Sequence, residues 1–106
     1  PNAEIFTDEK NGILSDFLLM PNYPNPFNSN TIIPFYLKNT NLVQLTIYNL
    51  KGELIAKLTD DYFTSGYHSI TWTGRDPSGR LSPAGVYFAE IRVRGQVHVR
   101  KMMYLK

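Results

Sequence analysis

The chain has 106 residues, a size that supports one domain with a single core and no covalent staples. Hydrophobic residues make up 42%, aromatics 13% and charged residues 19%, which excludes the disordered class, and the absence of cysteine excludes disulfide frameworks and thiolate metal sites. The formal charge of +2 hides an asymmetry: Glu4, Asp8, Glu9 and Asp16 open the chain, whereas Arg92, Arg94, Arg100, Lys101 and Lys106 follow the last acid, Glu90, and read as the solvated face of a strand pair, not a polyanion site.

Residues 1–16 are polar and acidic, hold no sustained period, and read as a linker from an upstream domain; the globular domain is expected over 17–106, opening on Phe17-Leu18-Leu19-Met20. PNAEIFTDEK lacks the basic and apolar regions of a signal peptide, and no apolar run approaches the roughly 18 residues of a membrane-spanning helix. Short apolar-alternating runs then follow between Gly, Pro, Asn and Asp clusters, which is the all-β pattern. Thr31 to Leu37 sets Ile33, Phe35 and Leu37 on one face, and Pro34 predicts an edge or a bulge. Leu42 to Asn49 sets Val43, Leu45 and Ile47 inward, with Gln44 and Thr46 outward. Asn49-Leu50-Lys51-Gly52 predicts a turn, and Glu53 to Leu58 an antiparallel return. Tyr67 to Thr73 aligns His68, Ile70 and Trp72, and Gly85 to Arg94 aligns Tyr87, Ala89, Ile91 and Val93; both are expected to be central strands. Arg94-Gly95 predicts a tight turn into Gln96 to Leu105, where the apolar phase moves from Val97 and Val99 toward Met102 as an inserted β-bulge would move it. About seven such strands cannot bury their apolar faces in one flat sheet, so an Ig-like antiparallel β-sandwich of Greek-key type is expected, with Trp72 as its large anchor.

Chemistry-bearing residues are sparse. His68 keeps phase with Ile70 and Trp72 and reads as an inward, hydrogen-bonded histidine; no histidine pair has a zinc-ligand spacing, and neither histidine has triad partners. Asp60-Asp61 is the one adjacent carboxylate pair after residue 16, and on extended backbone its members diverge, so it reads as a solvated loop. Gly74-Arg75-Asp76-Pro77-Ser78-Gly79 lacks the alternating acids of a calcium loop and reads as a turn built on Asp76. No phosphate-cradling glycine motif is present. The expectation is therefore a domain that is not an enzyme and takes no cofactor or metal. Tyr36, Tyr48, Tyr62, Tyr67 and Phe88 fall on outward phases and keep a sugar platform open as an alternative.

Four segments stand together in order: Asn22-Tyr23-Pro24-Asn25-Pro26-Phe27-Asn28, Ile47-Tyr48-Asn49-Leu50-Lys51-Gly52, Gly85-Val86-Tyr87-Phe88-Ala89-Glu90-Ile91, and Lys101-Met102-Met103-Tyr104-Leu105-Lys106. In this order the chain resembles the type A C-terminal sorting domain of type IX secretion cargo. Gly66 to Trp72, followed by Gly74 and Gly79, also fits that family and the related Ig-like domain of flagellar hook-capping proteins. The resemblance covers Leu19 to Lys106, with slight departures at Pro34 and Pro83. It implies an appendage on a larger cargo protein in the same chain, carried through the periplasm and across the outer membrane by the type IX translocon to the cell surface or medium. A sortase-like peptidase commonly removes such domains and can anchor the cargo, so the domain is substrate, without nucleic-acid partners or membrane insertion. Residue by residue, the resemblance points to Pro24 and Pro26, to Gly85, Tyr87 and Ile91, and to Lys101 and Lys106 as sorting determinants. All but the lysines have a structural alternative: the prolines stiffen the domain entry, Gly85 relieves a crowded strand start, and Tyr87 and Ile91 fill the core, whereas Lys101 and Lys106 are the candidates for direct contact. The terminal strand offers an edge for strand addition by a receptor. The competing functions are a retained Ig-like structural or interaction module and a carbohydrate-binding accessory module of a secreted hydrolase.

Overall fold

A computed structural model describes residues 7–8, 13–14 and 16–105. The expected linker, 1–16, lies mostly outside the described residues; within it β1 (Thr7–Asp8) and β2 (Ile13–Leu14) pair antiparallel. The remaining strands are β3 (Phe17–Leu19), β4 (Thr31–Leu37), β5 (Asn41–Asn49), β6 (Leu54–Phe63), β7 (Gly66–Trp72), β8 (Gly85–Val93) and β9 (Gln96–Tyr104). They form two antiparallel sheets, ordered β3-β4-β7 and β6-β5-β8-β9, which is the Ig-like sandwich of seven strands.

The period-two residues of β4, β5 and β8 supply the interface between the sheets. Ile33, Phe35 and Leu37 face Val43, Leu45 and Ile47 and the Tyr87, Ala89, Ile91 and Val93 face of β8, all buried. Each fully buried aliphatic or aromatic side chain here contributes about 1.5–3 kcal/mol of transfer free energy. Trp72 closes one end of this core at 1% exposure, and its indole N–H donates to Arg75 O at 3.0 Å. The turn after β5 forms as expected. Gly52 takes φ 83°, and Asn49 Oδ1 accepts the Lys51 and Glu53 N–H groups at 3.0 and 2.9 Å.

Five expectations need correction. Pro34 lies in the central strand of its sheet, with no bulge. Met20 N–H donates to Pro34 O at 3.0 Å, so the ring nitrogen of Pro34 faces the same side, just past the last paired residue of β3, where no strand asks for a donor. The Glu53 to Leu58 return runs on to Phe63, and Asp60-Asp61 is part of that strand, Gln44 pairing Asp60 and Asn41 pairing Phe63. Phe63 holds the extension by packing edge-on to Phe35, ring centroids 5.3 Å apart. β7 is an edge strand, because the chain crosses between sheets at Thr64-Ser65 and leaves nothing to pair beyond it. Alternation alone does not separate the two cases, since an edge strand of a sandwich also buries one face. Last, β9 carries no bulge and pairs β8 in unbroken register from Gly85↔Tyr104 to Val93↔Gln96. Its inward phase is His98, Arg100, Met102 and Tyr104, while Val97 and Val99 are exposed. His98 lies against Phe17 with ring centroids 4.3 Å apart, and Arg100 Nε donates to Leu19 O at 3.0 Å, so two polar residues occupy inward positions and give the false appearance of a phase shift.

Candidate recognition site

The segment between β3 and β4 is drawn across the end of the sandwich by its own polar atoms. Tyr23 and Ile32 exchange backbone hydrogen bonds at 2.9 and 2.8 Å. Asn22, buried at 5% exposure, donates from Nδ2 to Thr31 Oγ1 at 2.9 Å, and Thr31 Oγ1 donates to Pro24 O at 2.9 Å. The Tyr23-Pro24 and Asn25-Pro26 peptide bonds are both cis. Because neither proline has an N–H, the outward turn of the segment leaves no donor stranded at those two positions.

Beyond the prolines the segment meets the last residues of β9. Met103 N–H donates to Asn25 Oδ1 at 2.9 Å, and Asn25 Nδ2 reaches Lys101 O at 3.5 Å. Phe27 N–H donates to Met103 O at 3.0 Å and Leu105 N–H to Phe27 O at 2.8 Å, a parallel bridge between residues far apart in sequence. The expected free edge for strand addition is thus already occupied over Met103 to Leu105. The Phe27 ring is fully buried, stacked on Tyr104 at 4.9 Å and edge-on to Trp72 at 5.7 Å, and Trp72 meets Tyr87 at 5.1 Å. Tyr87 Oη donates to Pro83 O at 2.5 Å; burial pushes its phenol above the ordinary range and keeps it a neutral donor. Gly74, at φ 72°, lies so near the Tyr104 ring that a Cβ would meet it at 2.8 Å.

Of the residues singled out in the sequence, Pro24, Pro26 and Lys101 are exposed and are joined through Asn25 into one surface, with Leu105 beside it at 46% exposure. Gly85 pairs with Tyr104 beneath that surface; its φ of 150° accounts for the glycine, not crowding, since a Cβ there would meet nothing within 4 Å. Tyr87 is core, in the aromatic cluster. Ile91 is fully buried in mid-sheet, paired with Leu45 and His98, and reaches no surface. Lys106 lies outside the described residues. Asn25 and Phe27 carry the connection and were passed over in sequence, although a polar residue between two prolines and an aromatic directly after them is the available signal. A groove of about 540 Å³ lined by Asn28, Ser29, Thr73, Arg75, Leu81 and Tyr104 flanks the same end.

Elsewhere the polar groups serve local structure. His68 Nε2 lies 2.7 Å from Thr64 O, its ring near Phe35 and Phe63. Asp76 Oδ1 accepts from Ser78 Oγ, Ser78 N–H and Arg80 N–H at 2.6, 3.0 and 3.0 Å; the Ser78 hydroxyl above all holds its carboxyl below the usual range. Among the described residues no three metal-ligating side chains cluster.

Residues 33–96 match the model of the FlgD Ig-like domain, more than half the chain. The chain belongs to the FlgD Ig-like domain family. The match runs from β4 to the first residue of β9, so both halves of the contact between Asn25–Phe27 and Met103–Leu105 lie outside it, one on each flank. Similar solved structures share the fold. Dimeric latent PorU from Porphyromonas gingivalis is 16% identical with a TM-score of 0.69, over 87% of this chain and 10% of that one. FlgD from P. aeruginosa is 22% identical with a TM-score of 0.54, over 70% of this chain and 59% of that one. The Pseudomonas fluorescens alkylpurine DNA glycosylase AlkC, bound to DNA containing an abasic site analogue, is 16% identical with a TM-score of 0.57, over 90% of this chain and 32% of that one. In each case the Ig-like domain spans less than two thirds of the larger protein. No curated protein sequence matches the chain.

Proposed function

We propose that this FlgD-type Ig-like domain is a non-catalytic sorting module of the type A C-terminal class, directing a larger cargo protein across the outer membrane by type IX secretion. The observation that carries this reading is the joining of two motif segments outside the family match. Asn25 and Phe27 bind the end of β9 and bring Pro24, Pro26 and Lys101 onto one exposed surface. Such a surface exists only in the folded domain, so the outer-membrane translocon would read a folded shape with its lysines, not a linear tail. Tyr87, Ile91 and Gly85 act indirectly, by keeping β8 seated in the core and paired with β9. A sortase-like peptidase would then separate the domain from the cargo at the cell surface. Recurrence of the fold as a small part of larger chains, a tenth of PorU, supports the role of an appended module.

The test is export of a periplasm-targeted reporter fused to this domain in a type IX host. Lys101→Ala with Lys106→Ala is expected to abolish surface delivery while changing stability by no more than about 0.5 kcal/mol, because charges on a solvated strand contribute little. Delivery at the unmodified level by the folded double variant would sink the assignment. It would favour the second reading, a retained Ig-like interaction module, which has its own support in a family match that does not need the Asn25–Phe27 contact.

A further inference from the structure

The two sheets leave four outer edges, those of β3 and β9 on one side of the sandwich and of β6 and β7 on the other. Three are guarded. β3 is three residues long, and its Leu19 carbonyl accepts from Arg100. β9 carries Arg100 and Lys101, and Asn25 and Phe27 occupy its end. β6 carries Lys57, Asp60 and Asp61, and its pairing with β5 shifts register twice. Charge, brevity, irregularity and cover are the usual means of blocking strand addition. β7 has none of them: GYHSITW holds no acid, lysine, arginine or proline, and pairs with β4 over seven residues without a break.

Its unused hydrogen-bonding groups can be located. Ile32 and Pro34 direct their backbone groups toward Tyr23 and Met20, so Thr31, Ile33, Phe35 and Leu37 direct theirs to β7, meeting Trp72, Ile70, His68 and Gly66. Tyr67, Ser69 and Thr71 therefore aim N–H and C=O away from the sheet. All three are exposed, and among the described residues no backbone hydrogen bond reaches them from outside β4.

We infer that β7 is a self-association edge, to which a second copy of this domain adds its own β7 antiparallel about a two-fold axis at Ser69. The choice of a second copy rests on self-complementarity. The axis sets Ser69 against Ser69, Tyr67 against Thr71 and His68 against Ile70, so each outward donor meets an outward acceptor. An aromatic opposite a β-branched residue is a favourable cross-strand pair, and the strand has no acid, lysine or arginine to oppose its like. The product is a continuous sheet, β3-β4-β7 joined to its symmetry mate. Seven residues span only about 24 Å, which places the contact among small interfaces, so the dimer dissociates on dilution. Because β7 lies on the side away from Asn25 and Lys101, dimerisation leaves that surface open and is independent of the export reading.

Sedimentation velocity over a concentration series up to about 1 mM tests this. The wild-type domain is expected to move from its monomer mass of 12.2 kDa toward twice that value. Ser69→Lys sets two ammonium groups face to face and is expected to stay monomeric, whereas Ser69→Thr still dimerises; circular dichroism verifies that each variant is folded. The chain contains no cysteine, so Ser69→Cys and Thr71→Cys each introduce a single thiol. A short bis-maleimide, to which each thiol adds across one ring double bond, should join Ser69→Cys chains severalfold faster than Thr71→Cys chains, whose thiols are separated by about 13 Å along the strands. A wild type that is monomeric throughout, a folded Ser69→Lys that still dimerises, or equal crosslinking at the two positions overturns the proposal.

Discussion

Replacing Phe27 by alanine tests whether the segment before β4 is part of the core or an ornament on it. The ring is fully buried, stacked on Tyr104 and edge-on to Trp72. Emptying a large aromatic site costs about 3–5 kcal/mol, and aromatic pairs of this geometry add about 0.5–1.5 kcal/mol beyond area. A loss near 4 kcal/mol is therefore expected, a large part of the roughly 5–15 kcal/mol that holds an ordinary domain together. In urea titration followed by far-ultraviolet circular dichroism, a slope of about 2 kcal/mol/M converts that loss to a midpoint shift of about 2 M. Amide exchange supplies the local readout: Leu105 N–H, which donates to Phe27 O, should lose protection well before the amides of β5 and β8. Phe27→Leu keeps an apolar side chain there and should give a smaller loss of the same character, which guards against a variant too unstable to study. A loss under about 1 kcal/mol, with Leu105 protection unchanged, refutes the reasoning.

Two further outcomes follow from the same end of the molecule and from β9. Gly74→Ala should destabilise by more than the roughly 1–2 kcal/mol of a left-handed backbone alone, because its Cβ would also strike the Tyr104 ring at 2.8 Å; thermal melts that match wild type would refute this. His98 has its pKa lowered by burial and then by Arg100, so the unfolded chain binds the proton more readily. Stability should be fully present above about pH 6.5 and be lost as pH falls through the lower folded-state value. His98→Gln should flatten that limb of the stability profile, whereas Asp76, shifted in the same direction, acts in the more acidic carboxylate range. An unchanged near-neutral limb in His98→Gln would assign it to another group.

Much of the fold was legible because β4, β5 and β8 alternate cleanly, and in a sandwich that alternation is the packing instruction. The Asn49–Gly52 and Arg94–Gly95 turns were legible for the same local reason: a glycine able to take positive φ stands where the chain reverses, Gly52 at 83° and Gly95 at 78°. Pairing order was not legible. Nothing in GYHSITW states that its far side is open, and nothing in Pro34 states that β3 stops one residue short of it. Polar inward residues misled most: His98 and Arg100 serve Phe17 and Leu19, partners supplied by a strand near the opposite end of the chain. The candidate site suffered from the same blindness to distance. Pro24, Pro26 and Lys101 stand in the sequence as separate motifs, while Asn25 and Phe27 unite them through contacts across 76 to 78 residues.

That separation bears on how the domain matures. Synthesis delivers Phe27 early and its cover late, so its ring has no Tyr104 to stack on, and its carbonyl no Leu105 N–H to accept, until β9 has left the ribosome. A chain interrupted anywhere before β9 is finished keeps an aromatic side chain in water and the Trp72 end of its core open. Closure of the sandwich thus doubles as a check that β9 has been made, and any apparatus that reads the closed form inherits that check without inspecting the strands between.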